Sequence, residues 1–260
     1  MPTPGSLFDT HVHLDLLPAG FDLRDETALA EERGVGRFLI PGVKPAGWQQ
    51  LLTVAKAVSG ALAAPGLHPL AAMHWQEQTR LELVKLLADP KVVAIGEIGL
   101  DGLLESPSMA IQEEAFRGQL GLAKEFAMPV LLHCRKATGR LLEILKEEGA
   151  EACGGIWHGF SGSHETALAA IELGFAISFG GAVTWPEARR APDTLRALPA
   201  EWIVLESDAP DQTPHPHRGQ PNRPSYLELV AKRVATLRDW SLEETAVITS
   251  ANARRVLRLD

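Results

Sequence analysis

The chain has 260 residues, 45% of them hydrophobic and 22% charged, proportions ordinary for a soluble globular protein. That length allows one or two domains, accommodates an α/β barrel as one, and supports a core without disulfides or structural metals. With 33 acidic and 25 basic side chains the formal net charge is −8, which excludes a protein that grips polyanions by bulk charge but not a metal site that inverts the field locally.

The first nine residues carry no basic segment followed by an apolar stretch, so no signal peptide is expected, and no apolar run is long enough to cross a bilayer. Two cysteines, Cys134 and Cys153, read as reduced thiols, and the expected location is the cytoplasm.

Along the chain, short apolar runs alternate with segments of helical period. A strand is expected over 7–13, then a helix over 25–33 that stops at Gly34. Strands follow over 37–41 and 61–67, with no helix read between them. A helix over 75–88, ended by Pro90, leads to a strand over 92–98. The longest helix, 108–126, precedes a strand over 129–133, and a helix over 137–147 precedes one over 155–158. A helical segment opens at Ser163 and closes at Gly174. Strand 175–179, helix 187–198 and strand 202–206 complete the alternation. A loop rich in Pro and His (208–224) and two helices, 225–238 and 242–258, finish the chain. The eight strands are rich in Val, Ile and Leu without polar alternation, as buried parallel strands are. Eight strands alternating with helices predict a TIM-type (β/α)8 barrel with a C-terminal helical extension, residues 1–260 forming one domain. The competing fold is an open doubly wound sheet. It is disfavoured because His11-Val12-His13 follows the first strand, where a Gly-rich phosphate loop would be needed.

In a barrel, function sits at the C-terminal ends of the strands. There the ionisable residues gather. Alternation along the first strand puts Asp9, His11 and His13 on one side, the barrel interior. An isolated H-x-H is more often an incidental polar pair. Here, however, Glu97 follows four apolar residues in the fourth strand, His133 ends the fifth, His158 ends the sixth, and Glu206 and Asp208 follow the eighth. A buried carboxylate must be paired, protonated or metal-bound. Glu206 and Asp208 compete for one role, Asp208 being nearer the mouth. Four imidazoles and two carboxylates at five strand ends suit two divalent ions, with Glu97 as the natural bridge.

The same residues carry a family resemblance. Phe8-Asp9-Thr10-His11-Val12-His13-Leu14-Asp15, Gly96-Glu97-Ile98-Gly99-Leu100-Asp101, Leu132-His133-Cys134-Arg135, His158-Gly159-Phe160-Ser161-Gly162 and Glu206-Ser207-Asp208-Ala209-Pro210 resemble, in order, the signatures of the TatD family of metal-dependent deoxyribonucleases in the amidohydrolase superfamily. Gly66-Leu67-His68-Pro69 and Arg218-Gly219-Gln220-Pro221-Asn222-Arg223-Pro224 fit as well, and the tail after Asp208 is most similar to the YjjV-like branch. The resemblance implies a distorted (β/α)8 barrel. It implies one ion on His11, His13, Glu97 and Asp208, and a second on Glu97, His133 and His158. It further implies phosphodiester hydrolysis at a DNA 3′ end with Mg²⁺, Mn²⁺ or Zn²⁺. Ser207 stands where Thr is usual, and Gly102-Leu103 replaces the usual aromatic pair after Asp101, which removes a surface for base stacking.

The expected mechanism is two-metal hydrolysis in which Glu97 and Asp208 are the catalytic carboxylates, Asp208 orienting the attacking water or taking its proton. Arg135, two past His133 on the same strand face, is expected to meet substrate phosphate, as are His68, Arg218 and Arg223 from loops. Asp9 and Asp101 are expected to orient the ligand imidazoles, while Cys134 points away and packs. The substrate is then a DNA 3′ end or a small phosphate ester, with no membrane and no obligate protein partner. The competing reading is a small-molecule amidohydrolase or esterase on the same dinuclear barrel, because fold does not determine substrate. A non-enzymatic metal-binding protein is disfavoured by the complete ligand set.

Overall fold

The computed structural model describes residues 6–259. Its eight parallel strands are β1 (Leu7–Asp9), β2 (Val35–Pro41), β3 (Ala61–Ala64), β4 (Ile95–Asp101), β5 (Val130–Arg135), β6 (Gly155–Trp157), β7 (Phe175–Phe179) and β8 (Ile203–Leu205). They lie in the order β3-β2-β1-β8-β7-β6-β5-β4. A bridge between Ala63 and Val92 joins the two edges and closes the (β/α)8 barrel. The helices are α1 (Leu23–Glu32), α2 (Trp48–Ala57), α3 (Glu77–Leu86), α4 (Met109–Glu125), α5 (Thr138–Glu147), α6 (His164–Glu172), α7 (Arg190–Ala197), α8 (Leu227–Arg238) and α9 (Leu242–Val256). No helix among the described residues is long and apolar enough to cross a membrane.

The alternation predicted from sequence is present, with one helix more. Trp48, Leu51, Leu52, Val54 and Ala55 form the buried stripe of α2, so its helical period is written in the chain. What it lacks is a start signal: Gly47 precedes it, and no side chain caps it. Other helices that show a start signal, though not α4 with Ser108, have working caps. Asp22 accepts from the Arg24 and Asp25 amides, and Ser241 with Glu244 forms a capping box on α9.

Two apolar layers account for the architecture. Phe8, Leu39, Ala64, Ala94, Leu131, Ile156, Ala176 and Val204, drawn in turn from the eight strand segments, fill the barrel interior. Ala253, Val256 and Leu257, on and just after α9, plug that cluster. Asn252 donates to the Ala200 and Ile203 carbonyls and Ser250 to that of Ser6, which ties α9 to the N-terminal ends of β1 and β8. Residues of opposite parity, among them Leu7, Phe38, Ile40, Leu132, Trp157 and Ile177, pack outward against the helices. Each large side chain so buried contributes roughly 1.5–3 kcal/mol.

β4 and β5 approach closely beneath the strand ends. Gly99, at φ 145°, pairs with His133, and a Cβ there would lie 2.0 Å from the His133 carbonyl oxygen. Gly99→Ala is expected to destabilise the protein by roughly 1–3 kcal/mol through overpacking, read as a lower urea midpoint with unchanged slope. It should also displace His133.

Candidate metal centre

Period-2 alternation carries the strand ends upward from the interior layer. Two residues beyond Leu131, Ile156, Ala176 and Val204 stand His133, His158, Ser178 and Glu206, all buried. On β1 the same step leads from Phe8 to Thr10, whose hydroxyl donates to the Leu205 carbonyl and lies 3.3 Å from Ser178 Oγ. The interior position above β1 therefore belongs to Thr10. The expected shared face of Asp9, His11 and His13 does not arise from strand pleating, because β1 ends at Asp9.

These residues reach the centre by another route. Past their last ladder pair, the segments after β1 and β8 stay zipped together: Thr10 N–H donates to Leu205 O, Asp208 N–H to His11 O and His13 N–H to Ala209 O, at 2.9–3.0 Å. This backbone ladder sets both histidines beside Asp208. It also separates the two competing carboxylates. Glu206 is fully buried within the barrel, whereas Asp208 is 7% exposed at the mouth.

The centre is built around Glu97. Its Oε2 lies 3.4 Å from His11 Nε2, while its Oε1 lies 2.6 Å from His133 Nδ1 and 2.7 Å from His158 Nε2. Asp208 Oδ1 lies 3.5 Å from His11 Nε2 and 3.8 Å from His13 Nε2. The His11 and His158 rings stack with centroids 3.9 Å apart, so the two halves adjoin. Three overlapping groups have donor atoms close enough for one ion each: His11, His158 and Asp208; His11, His13 and Glu97; His68, Glu97 and His133. Both ring nitrogens of His11, and Nδ1 of His13 and of His158, are buried without a hydrogen-bond partner. Orphaned donors of this kind are costly in a native protein unless something satisfies them. A divalent cation would satisfy His11 Nε2, which faces both Glu97 and Asp208, and imidazole with carboxylate suits Zn²⁺ and Mn²⁺.

Electrostatics are consistent with that fit. Burial pushes the Glu97 carboxyl up, but His158, His11, His133 and His68 outweigh it and hold the group well below its ordinary value. Burial disfavours the His158 cation, yet Glu97 and Glu206 hold it well above the usual histidine value. His133 is raised against burial by Glu97 and Asp101. Burial, with His11 nearby, lowers His13 to about 3, and burial lowers His68 to about 4 despite Glu97. Both are therefore neutral donors at ordinary pH. Burial raises Asp208 to about 6, against the pull of His158 and His11.

Around the centre, Asp9 accepts from the Ser207 amide at 2.8 Å and from the His11 amide at 3.4 Å. It therefore braces the backbone of the zipped segments, not an imidazole. Burial raises it to about 8. Asp101 Oδ2 stands 3.4 Å from His133 Nε2, on the side of the ring away from Glu97. His133 holds the Asp101 carboxyl below its usual value, and Gln112 donates to the Asp101 carbonyl while accepting from its amide.

Of the four residues expected to meet substrate, two adjoin the centre. His68 Nε2 is 3.9 Å from Glu97 Oε1, close enough to join the donor set, and Arg135 lies 3.8 Å from Asp101 with its side chain 60% exposed. The other two are engaged elsewhere. Arg218 pairs with Glu187 and covers the Trp185 ring, and Arg223 covers Phe21 with Glu26 at 3.6 Å. Cys134 faces outward into the apolar layer, where burial raises its thiol.

Two further groups bear on the centre: Glu206, weighed from the sequence as the rival of Asp208, and Gln212, which sequence reasoning did not find. Glu206 Oε1 accepts from the Gly159 amide at 2.6 Å and faces His158 Nδ1 at 3.5 Å. Gln212 Nε2 donates to Asp208 Oδ2 at 2.7 Å. Glu206 was marked by its place at a strand end. Gln212 lies in a loop with no period to reveal it.

A family model described as TatD related DNase matches residues 8–258. The chain is 39% identical to YabD, an uncharacterized metal-dependent hydrolase of Bacillus subtilis (strain 168), over 98% of this chain and 100% of that protein. It is 34% identical to YcfH, an uncharacterized metal-dependent hydrolase of Escherichia coli (strain K12), over 98% of this chain and 96% of that one. Among solved structures, the TatD homolog YjjV of Escherichia coli K12 matches with a TM-score of 0.92 at 33% identity, covering 98% of each chain. A TatD family hydrolase from Entamoeba histolytica has the same fold, with a TM-score of 0.84 at 22% identity over 96% of this chain and 97% of that one.

Proposed function

The chain belongs to the family of TatD-related DNases and is a metal-dependent hydrolase, and from that premise we propose that it is a phosphodiesterase that removes nucleotides from a DNA 3′ end. The observation that carries this reading is the division of the Glu97 carboxylate, one oxygen turned to His11 and the other to His133 and His158. A carboxylate so divided is suited to bridge two ions. His11, His13 and Asp208 complete one set of donors, and His133 and His158 complete the other. Mg²⁺, Mn²⁺ or Zn²⁺ held there supplies Lewis acidity to polarise a phosphoryl oxygen and acidify water. Asp208 orients the attacking water and accepts its proton. Arg135, on the solvent side of Asp101, meets the substrate phosphate. The buried carboxylates of Asp101 and Glu206, behind His133 and His158, hold those rings toward Glu97.

The test pairs elemental analysis of protein purified without chelator with a panel of 3′-labelled DNA, nucleotides, lactones and amides. Metal-dependent release of mononucleotides is expected. Turnover of the small substrates alone moves the assignment to a small-molecule esterase or amidohydrolase. That second reading has its own observation: Leu103 is 53% exposed where an aromatic would stack a base, and Arg218 and Arg223 are already paired. Silence throughout overturns both readings.

Metal binding should also release protons. His158 and His133 are held above the ordinary histidine value by Glu97 and their rear carboxylates, so near neutral pH they carry protons that metal must displace. Affinity should therefore rise as pH rises above the ordinary histidine range. Calorimetry in buffers of different ionisation enthalpy should report proton release near pH 7. Buffer-independent heats would show that these imidazoles are already neutral or are not ligands.

A further inference from the structure

We infer that Gln212 is a positioning residue for Asp208: its side-chain N–H fixes the carboxylate so that Oδ1 alone is turned to the histidines. This rests on the reading of Asp208 as a metal ligand. The amide donates to Oδ2 at 2.7 Å, and the other oxygen, Oδ1, faces His11 and His13 at 3.5 and 3.8 Å. A carboxylate anchored by one oxygen loses its freedom to flip between equivalent states. The oxygen offered to an ion is then preset, and less entropy is lost on binding.

The placement of Gln212 is over-determined by its surroundings. Its backbone is left-handed, at φ 51°. Its carbonyl oxygen lies 1.8 Å from where a Cβ on Gly181 would stand, so the segment after β7 must carry glycine there for Gln212 to fit. On one flank, Asn222 Nδ2 donates to the carbonyls of Ser207 and Asp211, both at 2.7 Å. On the other, Trp185 Nε1 donates to Thr213 O at 3.0 Å, and Thr213 Oγ1 donates to Gln220 O at 2.6 Å. The loop is thus clamped on both sides of one residue, whose side chain then reaches back four positions to Asp208. A surface glutamine without a role needs no such scaffold.

Gln212→Met keeps length and volume and removes the donor. Three measurements on the full-length protein test the inference: Co²⁺ titration followed by visible absorption, steady-state kinetics with the substrate found active above, and melting of the metal-free form. The expected result is metal-free melting like wild type, a Co²⁺ affinity weakened roughly 10- to 100-fold at one site with an altered ligand-field band, and kcat reduced with KM near wild type. A Co²⁺ spectrum and affinity indistinguishable from wild type overturn the role of Gln212 while leaving the metal reading intact. Wild-type protein that takes up no Co²⁺ overturns the metal reading, and this inference with it. A fall in metal-free melting without change in Co²⁺ binding shows that Gln212 supports only the loop, and overturns it as well.

Discussion

Asp208→Asn is expected to reduce turnover by about 10²- to 10⁴-fold, the range for losing a positioned acid–base group, while leaving the fold unchanged. The substitution is isosteric. Asp208 sits in the left-handed region at φ 58°, a conformation that asparagine tolerates better than almost any residue but glycine. Its amide bond to His11 O is untouched, and the Asn carbonyl still accepts from Gln212. What disappears is the charge. Burial raises the Asp208 carboxyl to about 6 from its ordinary 3.8, so ionised Asp208 destabilises the metal-free protein. The sign follows: as pH rises from 3.8 through 6, the unfolded state gives up its proton before the folded state does, and stability falls. Asn removes that loss. Metal-free Asp208→Asn should therefore melt at or above the wild-type temperature at pH 7. Wild-type turnover from the variant would overturn the mechanism.

Glu97→Gln is expected to have the larger effect on metal content. Asp208 serves one set of donors, whereas Glu97 faces both. Its loss should weaken both sites, taking elemental analysis from two ions per chain toward none and hydrolysis to background. The metal-free protein should suffer too. Glu97 is the carboxylate closest to His158 and helps to hold that imidazole above its ordinary pKa. A histidine raised in this way stabilises the fold at low pH, and the contribution is lost as pH rises through its folded-state value. The melting deficit of Glu97→Gln should thus be greatest near pH 5 and narrow toward alkaline pH. A variant that keeps two ions would show that Glu97 bridges nothing.

The family signatures at the strand ends are contiguous stretches of sequence. Reading them required only that apolar runs be recognised as strands and that ionisable residues stand at their ends: Glu97 and His133 lie within β4 and β5, His158 and Asp208 just beyond β6 and β8. The (β/α)8 alternation was legible for the same reason. Period 2 and period 3.6 are properties of neighbouring residues, visible before any contact forms. Where a local signal was faint, as at the uncapped start of α2, the element was missed although its apolar stripe was present.

The tertiary structure decided what depends on residues far apart in the chain. The pleat predicted for Asp9, His11 and His13 yielded to a ladder between the segments after β1 and β8, some 195 residues distant. Glu206 and Asp208, rivals in the sequence, stand at different depths in the barrel. Arg218 and Arg223, both suitable in chemistry, found partners at Glu187, Trp185, Phe21 and Glu26. Gln212 acquired its role only when Gly181 and Asn222 held its loop over the mouth. The sequence by itself determined which residues carry donor atoms and on which strand ends they stand, because both follow from residue identity and local period. Which oxygen of Glu97 meets which imidazole, and which arginine stands beside the centre, was decided by closure of the sheet, since each is a distance between groups that only the folded barrel brings together.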